Sequence, residues 1–177
     1  MSRPTIMFLL SLTLVASTTG ACSGGQANLS LLGTTTSTNF AAHLSSTPTG
    51  AETPATGEAT FVVSTDGKRI QYRLVVDNID NVTMAHIHQG QAGQEGPILV
   101  WLYPPSGPPP KEIPGTYSGV LAESTFTESD LVGPLQGQPL SALVEAMQKG
   151  DTYVNVHTVQ YPAGAIAGQI EAVSGQM

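Results

Sequence analysis

The stretch GEATFVVSTDGKRIQYRLVVDN, residues 57–78, restricts this chain more than any other part of it. Two runs rich in β-branched and aromatic residues flank Asp66-Gly67, the dipeptide favoured in a two-residue type I′ turn, and together they predict a β-hairpin. In the second arm Ile70, Tyr72, Leu74 and Val76 alternate with Gln71, Arg73, Val75 and Asp77, so one face is apolar and the other mostly polar. That alternation fits an antiparallel sheet packed on one side.

The remainder extends the same reading. Further strands are expected at 82–88, 97–103, 116–126, 152–159 and 164–173, and nineteen glycines with thirteen prolines leave little room for long helices. The run PPSGPPPKEIPG is rich in residues that lack a backbone N–H and reads as a surface loop. One helix is expected in QPLSALVEAMQKG, where Pro139 suits the first turn, Gly150 suits the stop, and Leu140, Leu143, Val144 and Met147 share a face. The expected class is all-β: a Greek-key-like β-sandwich of about seven or eight strands with one short helix.

Residues 1–21 read as a secretory signal peptide, with Arg3 ahead of an apolar run from Ile6 to Ala16 that is short for a membrane span. Cys22, the single cysteine, follows Gly20 and Ala21 where such a leader is cut. TTGAC resembles a bacterial lipobox, with Thr19 where an aliphatic residue is usual, and lipidation of Cys22 would cap an otherwise lone thiol outside the cytoplasm. Residues 22–38, small and uncharged, then form a flexible tether, and the folded domain spans 39–174. The expected location is extracytoplasmic, as a cell-envelope lipoprotein or, with ordinary cleavage, a secreted protein. Contact with the membrane runs through the N-terminal lipid only. A net charge of −7 and no basic cluster larger than Lys68-Arg69 argue against nucleic acid as a partner.

Chemistry concentrates in MAHIHQG and YVNVHT. On a strand, Met84, His86 and His88 share one face, and His-x-His offers two nitrogen ligands to copper or zinc; the alternative is one packed and one solvated imidazole. Tyr153, Asn155 and His157 alternate with Val154 and Val156, so His157 can approach the pair, or can simply hydrogen-bond backbone. Three histidines without a thiolate suit Cu(II) or Zn(II) and exclude a blue-copper centre. Proton competition at such a site is expected near the ordinary histidine value, about pH 6.5. Asn155 is a candidate for orienting an imidazole, Met84 for a soft axial neighbour, and His43 is undecided. No catalytic residue is assigned: there is no Gly-x-Ser-x-Gly elbow, and Glu95, Glu112 and Glu123 are scattered. Gly90, Gly93 and Gly96 read as turn residues.

The segments VTMAHIHQGQAGQEGPILVWLY and GDTYVNVHTVQYPAGAIAGQI resemble the two signature segments of the CHRD domain, and FAAHLSSTPTGAETPATGEATFVVSTDGKRIQYRLVV is similar to its opening strands. That family in turn resembles the sandwich of copper,zinc superoxide dismutase. The resemblance implies copper on His86, His88 and His157, with zinc or no metal as alternatives. It also implies gaps. There is no counterpart for a bridging histidine, for the zinc histidines or for a disulfide, and Ala165 and Ala167 replace the Glu and Arg of the family's Gly-Glu-Ile-Arg-Gly-Gln. Metal binding or electron transfer is therefore expected rather than dismutation. A second expectation is an extracellular or periplasmic interaction module that presents loops such as 104–115 to a protein partner.

Overall fold

The structure, a computed structural model, describes residues 39–173. The expected leader, Cys22 and the tether lie outside the described residues. Eight strands and one α-helix follow in order: β1 (Asn39–Ser45), β2 (Thr56–Val63), β3 (Ile70–Gln89), β4 (Ile98–Tyr103), β5 (Ile113–Phe126), α1 (Leu140–Gln148), β6 (Thr152–Thr158), β7 (Ile166–Gln169) and β8 (Glu171–Ala172). Every pairing is antiparallel. The all-β class with one short helix stands.

The predicted hairpin joins β2 to β3 in unbroken register from Thr56 opposite Asp77 to Val63 opposite Ile70. Its turn differs from expectation. The Ser64 N–H donates to the Arg69 carbonyl and the Gly67 N–H to the Ser64 carbonyl, so four residues, 65–68, form the loop and only Gly67 takes positive φ. Asp66 selects this longer turn. Its Oδ1 accepts from the Ser64 hydroxyl at 2.6 Å and the Lys68 N–H at 3.1 Å, bonds that a two-residue turn would not make. The Ser64 bond, with the Lys68 N–H, also holds the Asp66 carboxyl below its usual range.

A second difference concerns β3, which runs for twenty residues through both the hairpin arm and the strand expected separately at 82–88. Asn78 and Asn81 take left-handed φ of 52° and 48°, a region asparagine tolerates, and bend the strand where the sequence reads as a turn. β3 pairs with β2 from Ile70 to Asp77 and with β5 from Ile70 to Val82, then with β6 from Val82 to Gln89 and with β4 from Ala85 to His88. Since β6 also pairs with β7, β7 with β1, β1 with β2 and β2 with β3, the sheet closes on itself, a barrel or sandwich of antiparallel strands. The expected strand at 164–173 is split into β7 and β8, both against β1, and β5 begins at Ile113, inside the stretch read as loop.

The core fills the inside of this closure with Phe40, Leu44, Phe61, Tyr72, Leu74, Ile87, Val154, Val156 and Ile166. Helix α1 buries Leu140, Leu143 and Met147, the expected face, with Val144 packed partly against the core. Alternation of burial holds in the first half of β3 and then stops. Residues 85–88 and all of β6 are buried, because loops 89–97 and 159–165 cover the side of the sheet that faces away from the core. That covered face carries the polar residues.

Candidate metal centre

Ladder register assembles the site. His86 lies opposite Asn155, His88 opposite Tyr153 and Met84 opposite His157, while on the other flank of β3 His86 faces Trp101 of β4. Directly opposed residues share a face, so these side chains project together under the covering loops. Ligand atoms of His86, His88 and His157 all lie within 4.8 Å of one another. All three rings are buried, at 1 %, 7 % and 6 % exposure, which matters because an unpaired imidazole gains nothing from burial.

Backbone carbonyls fix two tautomers. His157 Nδ1 is 3.0 Å from the Pro162 carbonyl and His88 Nδ1 is 2.8 Å from that of Gly96; a carbonyl only accepts, so both Nδ1 atoms carry the proton and both Nε2 atoms are bare. His86 Nδ1 stands 3.2 Å from His157 Nε2 and donates to it. Among the described residues, His86 Nε2, His88 Nε2 and Asn155 Oδ1 are buried side-chain atoms without a hydrogen-bond partner. Orphaned buried acceptors are costly, and His88 Nε2 and Asn155 Oδ1 on the face of one three-histidine cluster point to a missing electrophile.

The electrostatics agree. Burial, then the neighbouring His157 and His88, push the His86 pKa down to about 3. Burial lowers His157 to about 4 against the opposing pull of the Pro162 carbonyl, and burial lowers His88 against that of Gly96. The three rings are thus neutral, the state that ligates metal, well below the pH 6.5 expected from sequence. Desolvation moves the competing protonation to more acid conditions.

A cleft of about 580 Å³ opens on His88 and His157, lined also by Thr49, Gln94, Glu95 and Asn155, with no lysine or arginine. His86 lies deeper, edge-on to Trp101 with ring centroids 4.2 Å apart. Asn155 Nδ2 donates to the Ala163 carbonyl at 3.0 Å, and Gly164 presses against the amide so closely that a Cβ there would meet Asn155 Oδ1 at 2.3 Å. Met84 is partly buried opposite His157. His43 is exposed on β1 opposite Glu58 and outside the histidine group. Ala167 is buried opposite Asn155, where the family's arginine would reach the same face.

Sequence reasoning missed the supports. Gln169 accepts from the Ala92 N–H at 2.9 Å while its Nε2 lies within 3.1 Å of the carbonyls of Gly90, Gly150 and Thr152, and so ties loop 89–97 to β6 and β7. Tyr153 stacks on His88 and reaches the Gln94 carbonyl in the same loop. The glycine spacing was a usable signal, since a Cβ on Gly96 would meet the Gln89 carbonyl at 1.9 Å.

Architecture and site together define an antiparallel β-barrel or sandwich domain with a buried three-histidine cluster compatible with a metal ion. A family model for the CHRD domain matches residues 40–170, and the chain belongs to the CHRD domain family. No curated protein and no solved structure matches the chain. No helix among the described residues is long and apolar enough to cross a membrane.

Proposed function

We propose that this protein is an exported, lipid-anchored CHRD-domain protein whose barrel holds one copper ion, in preference to zinc, on His86, His88 and His157. The observation that carries the reading is the donor set: three neutral, buried imidazoles gathered without a carboxylate or thiolate. Nitrogen ligands about 2.0–2.1 Å from a shared ion at a tetrahedral angle sit about 3.3 Å apart. His86 Nδ1 and His157 Nε2 are already at 3.2 Å, and the third ring needs a shift on the order of one ångström. His88 and His157 would bind through Nε2, held by Gly96 and Pro162, and His86 through Nδ1 once its proton moves to Nε2. Copper at this position would supply one-electron exchange. The chain's own residues keep the rings neutral and restrict approach to the cleft side. Asn155 supports His157 through loop 159–165, and Met84 is the nearest soft side chain in register.

Metal analysis of untagged protein tests the reading, with copper near one per chain as the expected result. Cu(II) titration of single variants should show His86→Ala, His88→Ala and His157→Ala each losing at least about tenfold in affinity, with His43→Ala unchanged. Equal affinity in the His157 variant would reduce the site to a His-x-His pair.

The second reading, an interaction module, is favoured by one observation. Exposed Pro105, Pro108 and Ser106 border a cleft of about 220 Å³ with Tyr72 and Trp101, on the loop expected to meet a protein partner. A folded chain that retains no metal would make that reading the better one.

A further inference from the structure

We infer that Asn155 Oδ1 is a fourth donor to the ion, an oxygen that biases the centre toward a divalent metal; the inference rests on the three-histidine reading. Asn155 is 6 % exposed and stands directly opposite His86, two residues before His157, so its amide leaves the sheet on the face that carries all three rings. The amide's orientation is set by its other end. Ala163 offers a carbonyl, which only accepts, so the atom bonded to it is the nitrogen and the bare end of the amide is the oxygen. Oδ1 then has no partner among the described residues and is sealed from solvent, as is the ligating His88 Nε2. Gly164, at φ +137° and without a Cβ, is what lets the amide lie so close to loop 159–165.

A merely structural asparagine would spend both ends of its amide, whereas this one anchors the nitrogen and leaves a bare acceptor on a residue that lines one cleft with His88 and His157. An amide oxygen is a harder donor than imidazole or thioether, and it adds affinity for Cu(II) or Zn(II) while adding little for Cu(I). The consequence is a centre that holds the oxidised ion in preference to the reduced one.

The experiment titrates Cu(II) alone and Cu(I) alone into the full untagged chain in detergent, as wild type, Asn155→Val, Asn155→Asp and His157→Ala. Asn155→Val should lose about tenfold or more in Cu(II) affinity with Cu(I) affinity unchanged, and the Cu(II)/Cu(I) potential should rise by about 59 mV per tenfold. Its Cu(II) spin-resonance spectrum should keep three nitrogen couplings with an altered parallel hyperfine constant. Asn155→Asp, which retains an oxygen, should bind Cu(II) at least as well as wild type. Three results overturn the inference: Cu(II) affinity and spectrum unchanged in Asn155→Val, parallel loss of both ions in that variant, or Asn155→Asp as weak as Asn155→Val, which would trace the effect to the Ala163 bond. If wild-type protein binds no stoichiometric copper, or His157→Ala binds as wild type does, the three-histidine reading itself fails and the inference with it. Failure confined to the Asn155 variants leaves that reading standing.

Discussion

His86 and His157 place a charge-sensitive cost at the centre of the molecule. With folded pKa values of about 3 and about 4, both stay neutral in the native barrel, whereas in the unfolded chain they protonate near 6.5. Between those limits the unfolded state binds more protons, so stability is fully present above about pH 6.5 and declines as pH falls toward 4. Urea unfolding of chelator-treated protein at pH 7 and pH 5 should therefore give a lower midpoint at pH 5. In His86→Phe the difference should shrink, because one of the groups that gains a proton on unfolding is gone. A pH-independent midpoint between 5 and 7 would mean that the rings are not desolvated as described. Arg73 and Glu123, by contrast, form an ion pair at 3.4 Å with both side chains about half exposed, and such a pair adds little.

Loops rather than strands complete the site, and they depend on glycines. Gly164→Ala forces a side chain into φ +137° and into the Asn155 amide, a cost of about 1–3 kcal/mol that should appear as a lower melting temperature together with weaker Cu(II) binding. Gly137→Ala, at φ +75° but in open space, should lower stability without touching the metal, which separates backbone strain from damage to the site. The strands themselves were legible: Ile70 to Val76 alternate because one side of β3 meets the core there, and the shared face of His86 and His88 follows from period two. The loops' contributions were not legible. The carbonyls of Gly96 and Pro162 that set the tautomers are backbone atoms, silent in a residue string, and the continuity of β3 depends on two asparagines that serve a bend as readily as a turn. Tyr153, Asn155 and His157 read as the more polar face of their strand, and nothing in the residue string shows that loops 89–97 and 159–165 fold over that face.

Over the whole molecule, a net charge of −7 and the lipid anchor proposed at Cys22 frame what the barrel can meet. Replacing Cys22 by Ser should move the protein from the detergent phase to the aqueous phase, since two or more acyl chains are needed for stable anchoring; identical partitioning would refute lipidation. Copper-loaded protein should dismutate superoxide little better than loosely bound copper. The cleft has no lysine or arginine to steer an anion, and Ala167 stands where a guanidinium would project. Turnover near the diffusion limit would contradict this. The single strand β3 has a further consequence. Its first half is one arm of the hairpin and its second half carries His86 and His88, so neither half of the barrel can open without pulling on the other's ladder. An ion bound to the native state alone raises the free energy of every opening that breaks the site. Amide deuterium uptake at Ile70–Val76, at the opposite end of β3 from the histidines, should slow on metal loading in step with that at residues 85–88, so that the hairpin registers occupancy it never touches.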